Sequence, residues 1–391
     1  MTKIVMFTRS LPMHGLGGME VVAWDVAQAL SSLGSEVNII TTKTKEFKGL
    51  HKIDGINVFF IDNVKSGKYS RNWWKESKRV FDEFYSKHCN VVFSVSSGAY
   101  GIIDYKKEYP NVSFHIQVHG SAWGEFVSKI KSRTIKGFLT SPKNIWWMLK
   151  DFKRYNEFHT VIAIGEQVQS DLIRKPYSYF LDKEKLHLIK NGIDSNLFSS
   201  MQKNINIKEK LNIDKNKKII LTACRLHPQK GVANSINAID LIRERDDFVL
   251  VVVGDGPDLN RLKLLVKEKK LEDKVFFLGA LKRSELAEVE AESDLFLFLT
   301  DRIEGLPLNV LEAASVGLPI ILSKQVKLFM SNNITLVNSR DFKTIAKEIQ
   351  RILDLPSESK KRYLPDEYTL QYTGKKYQDL LDSIKTNGEQ N

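Results

Sequence analysis

The chain has 391 residues, enough for two domains of ordinary size, and 42% of them are hydrophobic and 27% charged, as in a globular protein. These figures exclude a disordered chain, a collagen-like fibre and a small disulfide scaffold, and the two cysteines, Cys89 and Cys224, form no zinc-type cluster. The net charge of +12 is concentrated in two windows, 65–79 (+5) and 126–155 (+7), which together hold four of the six tryptophans.

The first apolar run, 4–7, is too short for a signal-peptide core, and no run reaches the roughly 18 apolar residues of a membrane-spanning helix. A cytoplasmic chain is expected, either soluble or peripheral on a membrane. Continuous Val/Ile/Phe runs predict strands at 3–8, 37–42, 58–61, 91–95, 114–118 and 160–164. A polar Lys/Asn-rich break covers 195–215. A second series follows at 218–223, 248–253, 275–278, 295–299 and 318–322. Runs without strict alternation suit strands covered on both faces. Their alternation with helix-length segments predicts parallel sheets with helical crossovers. The expected fold class is α/β, with two doubly wound Rossmann-like domains at 1–195 and 196–365 and a final segment, 366–391, carrying a helix near 368–385.

The motifs follow the same order. Gly17 and Gly18 stand between the first strand and its helix, where backbone N–H groups can approach an anion. Glu20 occupies the place of the third glycine, so this is not a dinucleotide fingerprint. His119 closes the strand 114–118, at the end where ligands bind in open α/β sheets. Arg225 and Lys230 lie just past the first strand of the second series, and two cations there can hold a diphosphate without a metal. The stretch 254–257, GDGP, reads as a tight strand-to-helix turn. Glu304 and Glu312 flank Gly305, Leu306, Pro307 and Leu308, with Pro307 at or near the start of a helix whose N-terminus can take a phosphate. Taken singly, each feature also has a purely structural reading: a flexible turn, a surface or satisfied core histidine, a solvated basic loop, or an N-cap acid with a helix-surface Glu.

The assembled set is more specific. GGME, His119, NGID at 191–194, Arg225-x4-Lys230-Gly231, GDGP and Glu304-x7-Glu312 followed by AASVGLPII occur in this order over essentially the whole chain. The chain resembles the retaining GT-B glycosyltransferases of family 4, in the GLP variant of the Glu-x7-Glu motif. The resemblance implies two domains facing across a cleft, with the final helix crossing back to the first. It implies that Arg225 and Lys230 hold the donor diphosphate and that Glu312 binds the ribose. Glu304 and the amides of Gly305 to Leu308 would surround the donor sugar and distal phosphate. His119 would stand near the reacting sugar, so His119 and Glu304 are the candidate catalytic residues. Gly17 and Gly18 would close over the phosphates, and the base would stack at Leu278, Gly279 and Ala280. One departure is clear: after LPIIL the usual Gly-Gly-x-x-Glu loop is replaced by SKQVKLFMSNNITLV, at 323–337.

The implied reaction is transfer of a sugar from a nucleotide-sugar, a UDP-sugar ahead of a GDP-sugar, to a glycan or lipid-linked glycan in surface polysaccharide or lipopolysaccharide synthesis. No Asp-x-Asp occurs, so no metal is expected, and no cofactor beyond the nucleotide-sugar co-substrate. The alternatives are a sugar-nucleotide epimerase, a phosphorylase-like enzyme or a non-catalytic nucleotide-sugar-binding scaffold. The basic windows suit an anionic membrane surface, with Trp73, Trp74, Lys129, Lys131, Trp146, Trp147, Lys150, Lys153 and Arg154 as candidate membrane or acceptor contacts. No nucleic-acid-binding module is recognisable, and no nucleic-acid partner is expected.

Overall fold

The computed structural model describes residues 1–15, 17–124, 126, 142–199, 206–356 and 360–388. The chain divides into two compact units: Met1–Gly192 with the chain from Glu367 onward, and Ile193–Asp366.

The first unit is built on β1 (Lys3–Phe7), β2 (Glu36–Thr42), β3 (Gly49–Ile53), β4 (Ile56–Ile61), β5 (Val91–Val95), β6 (Ser113–Val118), β7 (Thr160–Ala163) and β8 (Leu186–Leu188). The sheet order is β3-β4-β2-β1-β5-β6-β7-β8, and every pairing is parallel except β3–β4. That one hairpin turns on Asp54 and Gly55, both with positive φ, as a two-residue turn requires. The five residues of β5 are all buried, which is why its sequence is an unbroken VVFSV.

The second unit is built on β9 (Lys218–Ala223), β10 (Phe248–Val253), β11 (Val275–Gly279), β12 (Leu295–Phe298), β13 (Ile320–Ser323) and β14 (Ile334–Val337). Its order is β11-β10-β9-β12-β13-β14, and all pairings are parallel. All six residues of β10, FVLVVV, are buried, and each such apolar side chain contributes about 1.5–3 kcal/mol by leaving water. Strand order reverses beside β1 in the first sheet and beside β9 in the second. Ligands in open α/β sheets bind outside the carboxyl ends of strands at such points.

The doubly wound architecture is the one expected, but three strands are additional. β3 alternates half-buried with exposed residues and is interrupted by His51 and Lys52, so it presents no apolar run. β8 is only three residues long. β14 lies inside the atypical 323–337 segment, which thereby extends the sheet at its edge. The break at 195–215 includes a short helix, Ile207–Lys210.

The last helix, Leu370–Gly388, belongs to the first unit. Tyr377 is fully buried, with its ring edge-on to Phe93 at 5.6 Å. Gly374 faces the helix Gly18–Ser32 so closely that a Cβ would meet that of Ala29 at 2.7 Å. Ser35 donates to Gln378 at 2.9 Å.

Candidate functional site

In the second unit, β9 runs into a loop whose short helical turn is Pro228–Lys230. Gly231 follows with φ +74°, and a Cβ there would lie 1.8 Å from the Leu299 carbonyl oxygen. Only glycine lets the chain pass this close to the end of β12. Lys230 therefore points across to the next turn, where its Nζ meets Glu304 Oε1 at 2.8 Å. The Thr300 hydroxyl stands 3.1 Å from the same carboxylate oxygen, and Lys230 lies over the Phe298 ring at 5.3 Å. Arg225 is exposed and makes no side-chain hydrogen bond or ion pair among the described residues. Two residues taken from separate motifs thus form one ion pair, with a second cation left over nearby in the same loop.

Pro307 is the N-cap of the helix Leu308–Val316, one position ahead of its first residue. The N–H groups of Gly305, Leu306 and Leu308 have no protein acceptor among the described residues. Three unsatisfied amides at a helix N-terminus, beside a lysine, have the chemistry to take a phosphate. Asn309 fastens this turn to β9, donating to the Ala223 carbonyl at 2.7 Å. Glu312 lies on the second turn, 6% exposed, with Arg283 Nη2 3.7 Å from Oε1. Behind it, Glu290 is fully buried; burial and then the charge of Glu312 hold its carboxyl well above the usual range. Leu278 and Gly279 end the edge strand β11, half-buried, and Ala280 just beyond is exposed.

In the first unit, Gly17 is the N-cap of the helix Gly18–Ser32. Its first turn carries Glu20, which accepts from the Ser10 hydroxyl at 2.7 Å. That acid already complements the positive helix end. His119, half-buried, follows β6, and its Nε2 is 2.7 Å from Gln117 Oε1. The Gln117 amide nitrogen donates to the Tyr377 hydroxyl at 2.7 Å. With the amide nitrogen committed to Tyr377, the amide oxygen faces the ring, so Nε2 carries the hydrogen and Nδ1 keeps a lone pair. Burial and the charge of Arg9 lower His119 to about 3, so the imidazole is neutral.

The aromatic candidates separate. Trp73 is fully buried, its Nε1 donating to the Gly98 carbonyl at 2.9 Å. It is a core residue, which corrects its assignment to a membrane or acceptor surface. Trp74 is half-buried and donates to the Ser97 carbonyl. Trp146 is 49% exposed on the helix Pro142–Tyr155, together with Ile145 and Leu149. Lys150 lies over Trp146, Trp74 and Trp147 at 3.8, 4.5 and 5.3 Å, three cation–π contacts. Lys153 is exposed, whereas Arg154 is paired with Asp104 at 2.7 Å. In the other window, Lys78 pairs with Asp82, and Arg79 with Glu76 and Glu83, so part of that charge is neutralised locally. Lys129 and Lys131 lie outside the described residues. Among the described residues no three His, Cys, Asp or Glu side chains are grouped to hold a metal, and no helix is long and apolar enough to cross a membrane.

Arg9, Gln117 and Tyr377 escaped the sequence reading. A cation directly after the first strand was the available signal for Arg9. Gln117 shares the face of His119 by strand alternation, but nothing local points to Tyr377, 260 residues away.

Comparison with known proteins places this geometry. The solved sucrose-phosphate synthase from Thermosynechococcus elongatus superposes with a TM-score of 0.78 at 17% identity, covering 99% of this chain and 100% of that one; the fold class is GT-B. Residues 203–366 match the family model described as "Glycosyl transferases group 1", and residues 16–197 match "Glycosyltransferase Family 4". The chain belongs to this glycosyltransferase family. It is 31% identical over 192 residues to the alpha-monoglucosyldiacylglycerol synthase of Streptococcus pneumoniae, covering 48% of this chain and 42% of that protein. It is 34% identical over 149 residues to a UDP-Gal:alpha-D-GlcNAc-diphosphoundecaprenol alpha-1,3-galactosyltransferase of Escherichia coli, covering 37% and 38%. The chain thus spans about two-fifths of the length of these curated relatives.

Proposed function

We propose that this chain is a retaining, metal-independent hexosyltransferase. Its donor is a nucleotide-sugar, a UDP-sugar ahead of a GDP-sugar. Its acceptor is a glycan or lipid-linked glycan in surface polysaccharide or lipopolysaccharide synthesis, met at the cytoplasmic face of a membrane. The observation that carries the reading is the turn where Lys230, Glu304 and the free amides of Gly305, Leu306 and Leu308 converge. Such a turn holds the distal phosphate and stabilises the departing nucleoside diphosphate by fixed charge and dipoles, with no need of a metal. Arg225 adds a second cation, Glu312 hydrogen-bonds the ribose and β11 offers its edge to the base. Without an evident carboxylate nucleophile, displacement proceeds on the front face. The acceptor hydroxyl attacks the anomeric carbon, the bond to the diphosphate breaks, and a donor phosphate oxygen takes the proton. The neutral Nδ1 of His119 is free to accept a hydrogen bond from a sugar hydroxyl. The relative from Escherichia coli, named for a UDP-sugar donor and a diphospholipid acceptor, supports the donor and acceptor classes.

Membrane contact is assigned to the helix Pro142–Tyr155, through Ile145, Trp146, Leu149, Lys150 and Lys153. Neutral replacement of the Lys and Arg residues of 126–155 should abolish binding to anionic vesicles; undiminished binding would remove this part. The reaction is tested by incubating UDP-, GDP-, ADP- and CMP-sugars with membrane acceptor and EDTA, and reading the anomeric coupling of the product by NMR. Transfer with retention is expected. Epimerised donor, phosphorolysis, or binding without turnover would each favour one of the alternative activities.

A further inference from the structure

Arg9 follows β1, at the carboxyl end of the strand beside which the first sheet reverses its order. Its guanidinium carbon lies 5.5 Å from the centroid of the Tyr69 ring. Tyr69 is itself fixed, donating to the Val95 carbonyl at 2.5 Å and accepting the Arg9 backbone N–H at 3.3 Å. One face of the guanidinium is thereby supported, but its hydrogen-bonding needs are not met. Arg9 Nε is buried without a partner, and Arg9 forms no ion pair among the described residues. The acid on the adjoining helix, Glu20, is turned to Ser10. Lys65 and Lys68, on the segment leading to Tyr69, are exposed and also unpaired among the described residues. Arg9 is close enough to His119 for its charge to disfavour the imidazolium. An arginine held rigid on an aromatic ring, short of an acceptor and beside a candidate reacting-site residue, is poised for an oxyanion. Its planar fork matches a phosphate in two-point contact.

We propose that Arg9, backed by Tyr69, is an oxyanion subsite of the first unit, taking a phosphate of the acceptor: a phosphomonoester, or the diphosphate of a lipid-linked glycan. The assignment to an acceptor rests on the glycosyltransferase reading. The same chemistry could be supplied by the donor diphosphate, but that reading gives the donor its own cations, Arg225 and Lys230.

The test uses the full chain labelled with ¹⁵N-histidine, the His119 signal being assigned by its loss in His119→Asn. Inorganic phosphate is titrated against chloride at constant ionic strength, with and without saturating UDP. A saturable shift of the His119 ring is expected in both conditions. Arg9→Gln should weaken phosphate binding at least tenfold and leave UDP affinity within twofold, and Arg9→Lys should fall between. No saturable response in the wild type overturns the proposal, and that arm needs no variant to fold. A response abolished by UDP, together with a comparable loss of UDP affinity in Arg9→Gln, overturns it in favour of the donor diphosphate. A phosphate response in a chain that binds no nucleotide would break the donor reading while leaving the oxyanion subsite standing.

Discussion

The two units use one architecture and manage charge in opposite ways. In the second, the leading cation is already neutralised: Lys230 sits on Glu304, beside amides that have no acceptor. In the first, the corresponding helix start is complemented by Glu20, and the cation, Arg9, stands on an aromatic ring without an acid. A paired lysine beside free amides suits a ligand that brings its own charge and displaces the carboxylate. A helix end already satisfied by an acid is a weaker anion site, so the oxyanion subsite proposed for the first unit is placed on side chains rather than on the turn. The glycines tell the same story. Gly231 is pressed against a carbonyl at positive φ, whereas Gly18 has nothing within 4 Å of where its Cβ would be.

The largest effect should come from the paired lysine. Lys230→Ala should lower kcat/KM by roughly 10²–10³-fold in steady-state kinetics, since the proposed mechanism aims this charge at the leaving group. A change under threefold would break the contrast between the units. The glycines come next. Gly231→Ala should destabilise by about 3 kcal/mol in denaturant unfolding, from its positive φ and the carbonyl clash, while Gly18→Ala should be near neutral. Equal effects would show that the turns are not differently constrained.

The buried network of the first unit gives a pH effect of similar or smaller size. Asp151 is raised to about 6 by burial, although Tyr100 and Tyr177 donate to it at 2.7 and 3.2 Å. Between pH 3.8, its ordinary value, and about 6, the folded chain keeps a proton that the unfolded chain has lost. Stability should therefore fall as pH rises through that window, by up to about 3 kcal/mol, with the loss complete above it. Asp151→Asn should flatten this part of the Tm–pH curve, and an unchanged slope would refute the assignment. The smallest effect concerns His119. Its ¹⁵N shifts should report the Nε2–H tautomer from pH 5 to 9, and Gln117→Leu should mix in the Nδ1–H form. A wild-type ring that reads as Nδ1–H would reverse the role given to Gln117.

The strands that bury both faces were legible because burial leaves continuous apolar runs, as in β5 and β10. The half-exposed β3 and the short β8 and β14 left no such trace. Motif spacing drew attention to Lys230 and Glu304, but their contact is a fact of strand order: β9 and β12 are neighbours although 74 residues separate the pair. Trp73 shows the converse. A tryptophan in a basic window resembles an interfacial residue, yet its position on the inner side of the helix Arg71–Phe84, with its indole N–H taken by Gly98, is set by packing. Tyr377 reaches Gln117 only because the chain returns to the first unit after completing the second.

The most direct test of the central claim is calorimetric titration of UDP, with GDP in parallel, into the wild type and Lys230→Ala in the presence of EDTA. Binding without metal that weakens at least tenfold in the variant is expected. Binding that appears only on adding magnesium or manganese, or that is the same in both proteins, would contradict that claim.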